Sequence, residues 1–135
     1  MKSIVLVTGG FDPLHEGHIE YFKNAKNLGD LLVVGINSNA WLERKKGFYF
    51  MDWDSRANII GNLEMVDKVI SFEDSDGTSK NAIMKCLNNS SNVIFANGGD
   101  RSKENIPELD NFNNDKRVKF EFGIGGSTKK IAALC

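Results

Sequence analysis

The sequence has few of the features that mark secreted, membrane-spanning or nucleic-acid-binding proteins. Its 135 residues include two cysteines, Cys86 and Cys135, which are too few and too far apart for a disulfide scaffold or a paired metal site. No apolar run has the length of a membrane span, and the run at residues 4–7 is too short for a signal-peptide core. With 17 basic and 18 acidic residues, the net charge of -1 provides no positive field for nucleic acid or an anionic membrane. We therefore expect a cytoplasmic protein with no nucleic-acid or membrane partner.

The remaining composition is ordinary for a globular protein, and the length fits a single domain over residues 1–135. Apolar runs alternate with helix-like segments, a pattern that predicts a parallel sheet built from strand–helix–strand units. The predicted fold is α/β: a single-domain, doubly wound, mostly parallel five-stranded sheet of Rossmann-like type. Its ligand site belongs at the carboxyl ends of the strands. The strands are predicted at residues 4–7, 31–36, 68–72, 92–96 and 118–122.

Helices are predicted between these strands from apolar spacing and capping residues. The helix after Asp52 or Asp54 is expected to turn Ile59, Ile60, Leu63 and Met65 inward. Residues 43–52 are predicted to form a loop able to close over a site, and residues 102–114 to be irregular. The other helices are predicted over residues 17–28, in a short segment through Trp41 and Leu42, around residues 82–87 and from Ser127.

The strongest chemical signal follows the first strand, where residues 8–18 read TGGFDPLHEGH. Gly9 and Gly10 permit the backbone to approach a ligand closely, and Gly17 opens a helix whose amino end favours phosphate. His15 and His18 are the only histidines, and their spacing of three residues lets both face the same space. Imidazoles can donate hydrogen bonds to phosphoryl oxygens as charge develops in a transition state.

A zinc site is the other reading of two neighbouring histidines. A catalytic zinc ion needs a third protein ligand, and helical histidine ligands usually stand four residues apart rather than three. We therefore predict no protein metal site.

These residues carry a family resemblance. His15, Gly17 and His18 match a His-x-Gly-His signature, and residues 10–14 resemble the Gly-x-Phe-Asp lead-in that precedes it. The similarity continues through residues 28–31 and 34–38 and reaches residues 126–128. The chain thus resembles the cytidylyltransferase-like nucleotidyltransferases, among them the glycerol-3-phosphate cytidylyltransferases and the heptose-1-phosphate adenylyltransferase domain.

The resemblance implies an enzyme that transfers a nucleoside monophosphate from a nucleoside triphosphate to a phosphorylated polyol or sugar and releases pyrophosphate. The acceptor would attack directly, in line, with Mg²⁺ accompanying the triphosphate. His15 and His18 would bind the phosphates and stabilise the transition state. The nucleotide would be lined by Thr8, Gly9, Gly10, Phe11 and Gly17. A homodimer is expected from the habit of the family.

Two basic positions also match the family. Lys46 occupies the lysine of its Arg-x-Lys-Gly stretch and is the preferred catalytic lysine over Lys45, with Arg44 as a weaker phosphate ligand. A solvated basic loop is the alternative. Arg56 matches the arginine of a Glu-x-Arg stretch and would contact the triphosphate or the acceptor phosphate. The alternative is that Arg56 is only an exposed arginine on a helix face.

Two further segments resemble ligand loops of the family. Asp100 follows Gly98 and Gly99 and would lie near the nucleotide, whereas Asn97 stands where adenylyltransferase relatives often have lysine. Ser127 and Thr128 would bind phosphate at a helix amino end, although Ser127 could also be only a cap. Lys129 replaces a second threonine of the family pattern and could add a phosphate contact.

The sequence leaves the donor nucleotide and the acceptor open. Chain length resembles the CTP-using relatives, whereas residues 44–47 and 97–100 resemble the heptose-phosphate relatives. On balance the sequence slightly favours CMP transfer from CTP, with AMP transfer from ATP as the alternative. A catalytically silent nucleotide-binding module is an alternative function. A flavodoxin-like electron carrier would share the sheet alone and would leave the histidine pair unexplained.

Overall fold

The computed structural model describes residues 2–99 and 106–125, which form five strands and five helices. The strands are β1 Ile4–Gly9, β2 Leu31–Ile36, β3 Lys68–Ile70, β4 Val93–Ala96 and β5 Val118–Glu121. The helices are α1 Glu16–Lys26, α2 Asn39–Lys46, α3 Trp53–Gly61, α4 Lys80–Leu87 and α5 Glu108–Phe112. Among these residues, no helix is long and apolar enough to cross a membrane.

The five strands form one sheet in the order β3-β2-β1-β4-β5, and each neighbouring pair is parallel. Ile4 on the central strand pairs with Leu31 on one side and with Val93 on the other. The winding direction therefore reverses between β1 and β4, and this reversal opens a crevice beyond the carboxyl ends of the two strands. The predicted α/β Rossmann-like fold is confirmed. The prediction of one domain over residues 1–135 extends beyond the described residues and stays a prediction.

Alternating side chains of the strands supply a core on each face of the sheet. Val5 and Val7 of β1 face one core, whereas Ile4 and Leu6 face the other. This division follows from the two-residue period of a strand, and it explains why β1 is apolar at consecutive positions. The first core takes side chains from α1 and α3 (Phe22, Ala25 and Ile60), and the second takes them from α4 and α5 (Ala82, Ile83, Cys86 and Phe112).

The predicted loop over residues 43–52 is wrong for its first part, because residues 43–46 continue α2. The Ser38 hydroxyl accepts a hydrogen bond from the Trp41 N–H at the start of this helix, and Leu42 is buried beneath it. Gly47 ends the helix with a φ of 85° and donates its N–H to the Glu43 carbonyl. A glycine in the left-handed region is a common helix terminator, so the basic residues occupy the last turn of a helix.

Two other local predictions need correction. Ile59 is 43% exposed, because Arg56 and Ile60, four residues apart, share the inner face of α3 and leave Ile59 to one side. Residues 102–114 are not irregular throughout, since α5 forms where Glu108 and Phe112 are both buried. The helix predicted from Ser127 lies outside the described residues.

The guanidinium of Arg56 joins three segments at the carboxyl ends of β1 and β2. It donates to the carbonyls of Gly10 at 2.9 Å, Asn37 at 2.7 Å and Met51 at 3.0 Å, and to the Asn39 side-chain oxygen at 2.7 Å. Only 1% of the residue is exposed. A buried carbonyl without a donor costs free energy, so these contacts hold the loops in register.

Replacing this guanidinium should weaken the fold. Arg56→Lys leaves a single ammonium that cannot reach four acceptors, and we expect it to lower the free energy of unfolding by about 2–4 kcal/mol in urea denaturation. Arg117→Lys is the matched control, because that guanidinium pairs with Asp115 at the surface. The control should cost less than about 1 kcal/mol. Equal losses for both variants would contradict the role given to Arg56.

Candidate active site

A cleft of about 530 Å³ opens where the carboxyl ends of β1 and β4 meet the amino end of α1. Its floor is the loop after β1, one wall is the loop after β4, and the opposite wall is α2. Most of the residues selected from the sequence line it. The lining residues are Thr8, Gly9, Gly10, Phe11, Asp12, Pro13, His15, Gly17, His18, Tyr21, Trp41, Leu42, Lys45, Lys46, Asn97, Gly98 and Gly99.

The turn at Gly9 and Gly10, called the glycine turn below, lies on the floor of the cleft. Neither glycine has room for a side chain. A Cβ added at Gly9 would lie 2.8 Å from the Phe11 ring, and one at Gly10 would lie 2.7 Å from a Leu42 methyl. Phe11 has a φ of 53°, which is uncommon outside glycine, and its ring packs edge-on against both His18 and Phe22. The Phe11 side chain therefore belongs to the core and supports one of the histidines.

His15 and His18 lie side by side at the amino end of α1. Their rings stack with centroids 3.8 Å apart and an interplanar angle of 20°. The Nδ1 of His15 accepts the Gly17 N–H at 3.1 Å, and the Nδ1 of His18 accepts the His15 N–H at 3.2 Å. A nitrogen that accepts a hydrogen bond carries no proton, so each neutral ring has its proton on Nε2. The arrangement is a reciprocal cap made of two imidazoles, and it fixes both tautomers.

Both histidines are held in the neutral form near pH 7. Burial, and then the neighbouring His15 ring, lower the pKa of His18 to about 4. Burial also lowers the pKa of His15, against an opposing effect of the Glu16 carboxylate. The pair therefore presents Nε2–H donors to the cleft rather than two cations.

The helix amino end differs from the prediction in one respect. Gly17 is predicted to open a helix whose free N–H groups favour phosphate, but the Gly17 N–H itself donates to the His15 ring. His15 is the N-cap, and α1 begins at Glu16 rather than at Gly17. Gly17 still lines the cleft.

Lys46 lies in the α2 wall and is bound to the floor through Asp12. Its ammonium donates to the Asp12 carbonyl and lies 3.9 Å from the Asp12 carboxylate. That carboxylate is buried and accepts the N–H groups of Phe50 at 2.6 Å and Met51 at 3.0 Å. Asp12 therefore fastens the segment after α2 to the glycine turn. The sequence assigned it no role, because its partners are 38 and 39 residues away in the chain.

Trp41 and Tyr21 line the cleft although no sequence motif marks them. Trp41 lies in the first turn of α2, and its ring holds the Lys45 ammonium 4.7 Å from the centroid. Tyr21 follows His18 by three residues on α1, and its hydroxyl donates to the Ala96 carbonyl at 2.5 Å. The spacing of Tyr21 from His18 was a usable signal, because residues three apart share a helix face.

Neither of the two arginines predicted to bind phosphate lines the cleft. Arg44 does not line the cleft, and its guanidinium donates to the Asp74 carbonyl at 3.0 Å. Arg56 is neither exposed nor in the cleft, because its guanidinium is buried behind the floor. Burial lowers the pKa of Arg56, while the carboxylates of Asp12, Asp52 and Asp74 raise it.

The remaining predicted site residues are Thr8, on β1, and four residues outside the described part of the chain. Thr8 lines the cleft, with its hydroxyl 2.9 Å from that of Ser79. Asn97, in the β4 wall, donates its amide to the carbonyls of Phe95 and Glu121, both at 3.2 Å. Asp100, Ser127, Thr128 and Lys129 lie outside the described residues.

The described residues do not form a protein cage for a divalent cation. Over residues 2–99 and 106–125, no group of three or more histidine, cysteine, aspartate or glutamate side chains could hold a metal ion. Within that part of the chain, the one acidic residue lining the cleft is Asp12, whose carboxylate already accepts two backbone N–H groups. These residues fit a magnesium ion only if the ion is held by the oxygens of a triphosphate.

The low pKa of His18 makes stability depend on pH in a testable window. The unfolded chain binds a proton near pH 6.5 and the folded chain near pH 4. Between these values the unfolded state therefore binds more protons, so the free energy of unfolding should fall as the pH falls. His18→Asn retains an acceptor for the His15 N–H and removes the titration. We expect a shallower decline for this variant in urea denaturation from pH 7 to pH 4, and parallel profiles would contradict the assignment.

Comparison with known proteins places the chain among nucleotidyltransferases. The profile of the cytidylyltransferase-like family matches residues 6–119. Bifunctional protein HldE of Klebsiella pneumoniae subsp. pneumoniae is 34% identical over 134 residues, which is 96% of this chain and 27% of that protein. Bifunctional protein HldE of Campylobacter concisus is 43% identical over 86 residues, which is 62% of this chain and 18% of that protein.

A solved structure agrees with the fold. The lipopolysaccharide core biosynthesis protein from Thermoplasma volcanium superposes with a TM-score of 0.71 at 28% identity, over 90% of this chain and 96% of that chain. The chain spans about a quarter or less of the two HldE proteins. Because the family profile extends over more than half of the chain, and the histidine pair lies in the cleft within it, the chain belongs to the cytidylyltransferase-like nucleotidyltransferase family.

Proposed function

We propose that the protein transfers a nucleoside monophosphate from a nucleoside triphosphate to a phosphorylated sugar or polyol and releases pyrophosphate. The observation that carries this proposal is the stacked histidine pair at the amino end of α1, on the floor of a cleft at the carboxyl ends of β1 and β4. Nucleotides bind at such reversals of winding direction in open α/β sheets. Two neutral imidazoles with fixed tautomers provide donors at the point where a phosphoryl group would lie.

The cleft can hold two substrates on opposite sides of this pair. The nucleoside would lie toward the β4 wall, where residues 97–99 and Tyr21 leave space in the crevice. The acceptor would lie toward α2, where Trp41, Lys45 and Lys46 line the other wall. Both substrates would thus meet above His15 and His18, which is the positioning that phosphoryl transfer chiefly requires.

The proposed reaction is a single displacement. An oxygen of the acceptor phosphate forms a bond to the α-phosphorus, and the bond from that phosphorus to the bridging oxygen breaks. Pyrophosphate leaves with the electron pair of the broken bond. A phosphate monoester has its second pKa near 6, so at pH 7 the attacking oxygen is already largely deprotonated and needs no general base. The Nε2 protons of the two histidines would hydrogen-bond the α-phosphoryl oxygens, whose negative charge grows in the transition state.

Magnesium is proposed as the companion of the triphosphate, held by phosphate oxygens, and would supply charge neutralisation. The residues of this chain bind and orient the substrates. Lys46 stays a predicted phosphate ligand, with its ammonium kept at the cleft by Asp12. A homodimer likewise stays a prediction.

ATP is the donor we propose first, with CTP as the alternative. The segments that resemble heptose-phosphate relatives, residues 44–47 and 97–100, contribute Lys45, Lys46 and residues 97–99 to the cleft. Chain length was the feature that favoured CTP, and it is a weak guide for a sequence that spans a small share of the HldE proteins.

The proposal is tested by measuring pyrophosphate release. The protein, with magnesium and either ATP or CTP, is assayed with hexose 1-phosphates, heptose 1-phosphates and glycerol 3-phosphate. We expect release that depends on both substrates and is faster with ATP. His18→Asn should lower kcat by about a hundredfold or more, because it removes the Nε2 donor and retains the capping acceptor.

Lys23→Ala is the matched control, since this residue lies exposed on the same helix and does not line the cleft. Its kcat should equal that of the unchanged protein. Nucleotide binding without release for every acceptor would favour the silent binding module. A His18→Asn variant with undiminished kcat would remove this imidazole from the mechanism.

A further inference from the structure

The indole of Trp41 lies inside the cleft at the glycine turn. A Cβ built on Gly10 would be 3.2 Å from Cζ3 of this ring, and both residues line the same cleft. Leu42 beside it is buried and forms the other apolar part of the wall. The α2 side of the cleft therefore presents an aromatic surface close to the histidine pair.

Lys45 adds a positive charge to this surface. Its ammonium lies 4.7 Å from the centroid of the Trp41 ring, and its side chain is exposed at the mouth of the cleft. Within residues 2–99 and 106–125, no carboxylate lies within 4.0 Å of this ammonium to form an ion pair. Lys46 differs, because its ammonium donates to the Asp12 carbonyl and lies 3.9 Å from the Asp12 carboxylate. Of the two lysines that line the cleft in the described part of the chain, Lys45 is therefore the one without a carboxylate partner among the described residues.

We propose that Trp41 and Lys45 together form the subsite for the acceptor. The indole contacts the carbon skeleton of the acceptor, and the ammonium contacts its phosphate. The inference rests on the proposed nucleotidyl transfer and assigns one of its two substrates to a named wall. It also assigns Trp41, a residue outside the histidine signature, a direct part in selecting that substrate.

The geometry favours the acceptor over the nucleobase as the partner of Trp41. Trp41 follows β2, whereas residues 97–99 follow β4, and β1 with its glycine turn separates the two. A base in the crevice between β1 and β4 would therefore lie on the side away from the indole.

The chemistry of Trp41 and Lys45 also defines the kind of ligand that they would select. An aromatic face packs well against the C–H face of a sugar ring or polyol chain, and a cation near it attracts an anion. A ligand that carries a phosphate on a carbon skeleton satisfies both groups at once. Inorganic phosphate would engage only the ammonium. The pair therefore discriminates an organic phosphate from free phosphate.

Tryptophan fluorescence tests this inference without turnover. The chain has two tryptophans, and Trp53 donates its indole N–H to the Ile36 carbonyl behind the site. Trp53→Phe leaves Trp41 as the reporter, and Trp41→Phe leaves Trp53 as the matched control. We expect glucose 1-phosphate or glycerol 3-phosphate to change the emission of the Trp41 reporter, with little change in the control. Inorganic phosphate should act only at higher concentration.

Steady-state kinetics provide the second test, using the acceptor that releases pyrophosphate fastest. Trp41→Leu should raise KM for this acceptor about tenfold, the equivalent of about 1.4 kcal/mol, and change KM for the nucleotide less than twofold. Lys45→Gln, which keeps most of the stem over the indole, should raise the same KM. In the double variant, KM for the acceptor should rise by less than the product of the two single increases, because each side chain holds the other in place.

The inference is overturned if both KM values are unchanged in Trp41→Leu, or if only the nucleotide KM rises. It is also overturned if neither organic phosphate changes the Trp41 emission. Absence of pyrophosphate release by the unchanged protein is a separate result and contradicts the proposed function. The fluorescence titration still reports on the subsite in that case.

Discussion

A buried positive charge holds together the loops from which the cleft is built. The guanidinium of Arg56 lies behind the glycine turn and binds backbone carbonyls at the ends of β1 and β2 and in the segment before α3. At this edge of the sheet, backbone carbonyls beyond the strand ends no longer pair with a neighbouring strand. The site is buried, so they need donors from the protein. A planar group with five donors can satisfy them together, which a single ammonium cannot do. The positions of the floor and the α2 wall both depend on this contact.

In His15 and His18, the bonds that cap α1 also decide which ring nitrogen carries the proton. Each imidazole uses Nδ1 to satisfy a backbone N–H at the start of α1, and this bond leaves the proton on Nε2. Burial lowers the pKa of both histidines, and the neighbouring His15 ring lowers that of His18 further, so both rings stay uncharged near pH 7. The pair therefore presents oriented N–H dipoles to the cleft rather than net charge. Among the described residues, the cations that line the cleft are Lys45 and Lys46 of α2.

Much of the fold could be predicted from the sequence, because its signals are local. The runs at residues 4–7 and 31–36 are apolar at consecutive positions, as strands covered on both faces must be, and both became strands. The histidine motif predicted a cleft at the end of β1, and the structure has one there. The motif carries its own geometry, since residues three apart on a new helix must share a face.

The contacts that were missed depend on distant parts of the chain. Nothing near Asp12 in the sequence shows that the N–H groups of Phe50 and Met51 will meet its carboxylate. Arg56 resembled a phosphate ligand because it is basic and follows a family pattern, while its burial depends on where β1 and β2 end. The loop predicted over residues 43–52 rests on a mixture of basic and aromatic residues, and it overlooks Gly47, which ends α2 directly after Lys46.

The strand order has a consequence for how the cleft comes into being. The floor and the α2 wall are encoded within the first 46 residues, but the opposite wall belongs to residues 97–99, after β4 has paired with β1. A growing chain therefore completes the central strand long before the neighbour that closes the crevice exists. Such late, long-range pairing slows folding, and it leaves one flank of β1 without its partner during synthesis. The cleft is thus one of the last features that the chain completes.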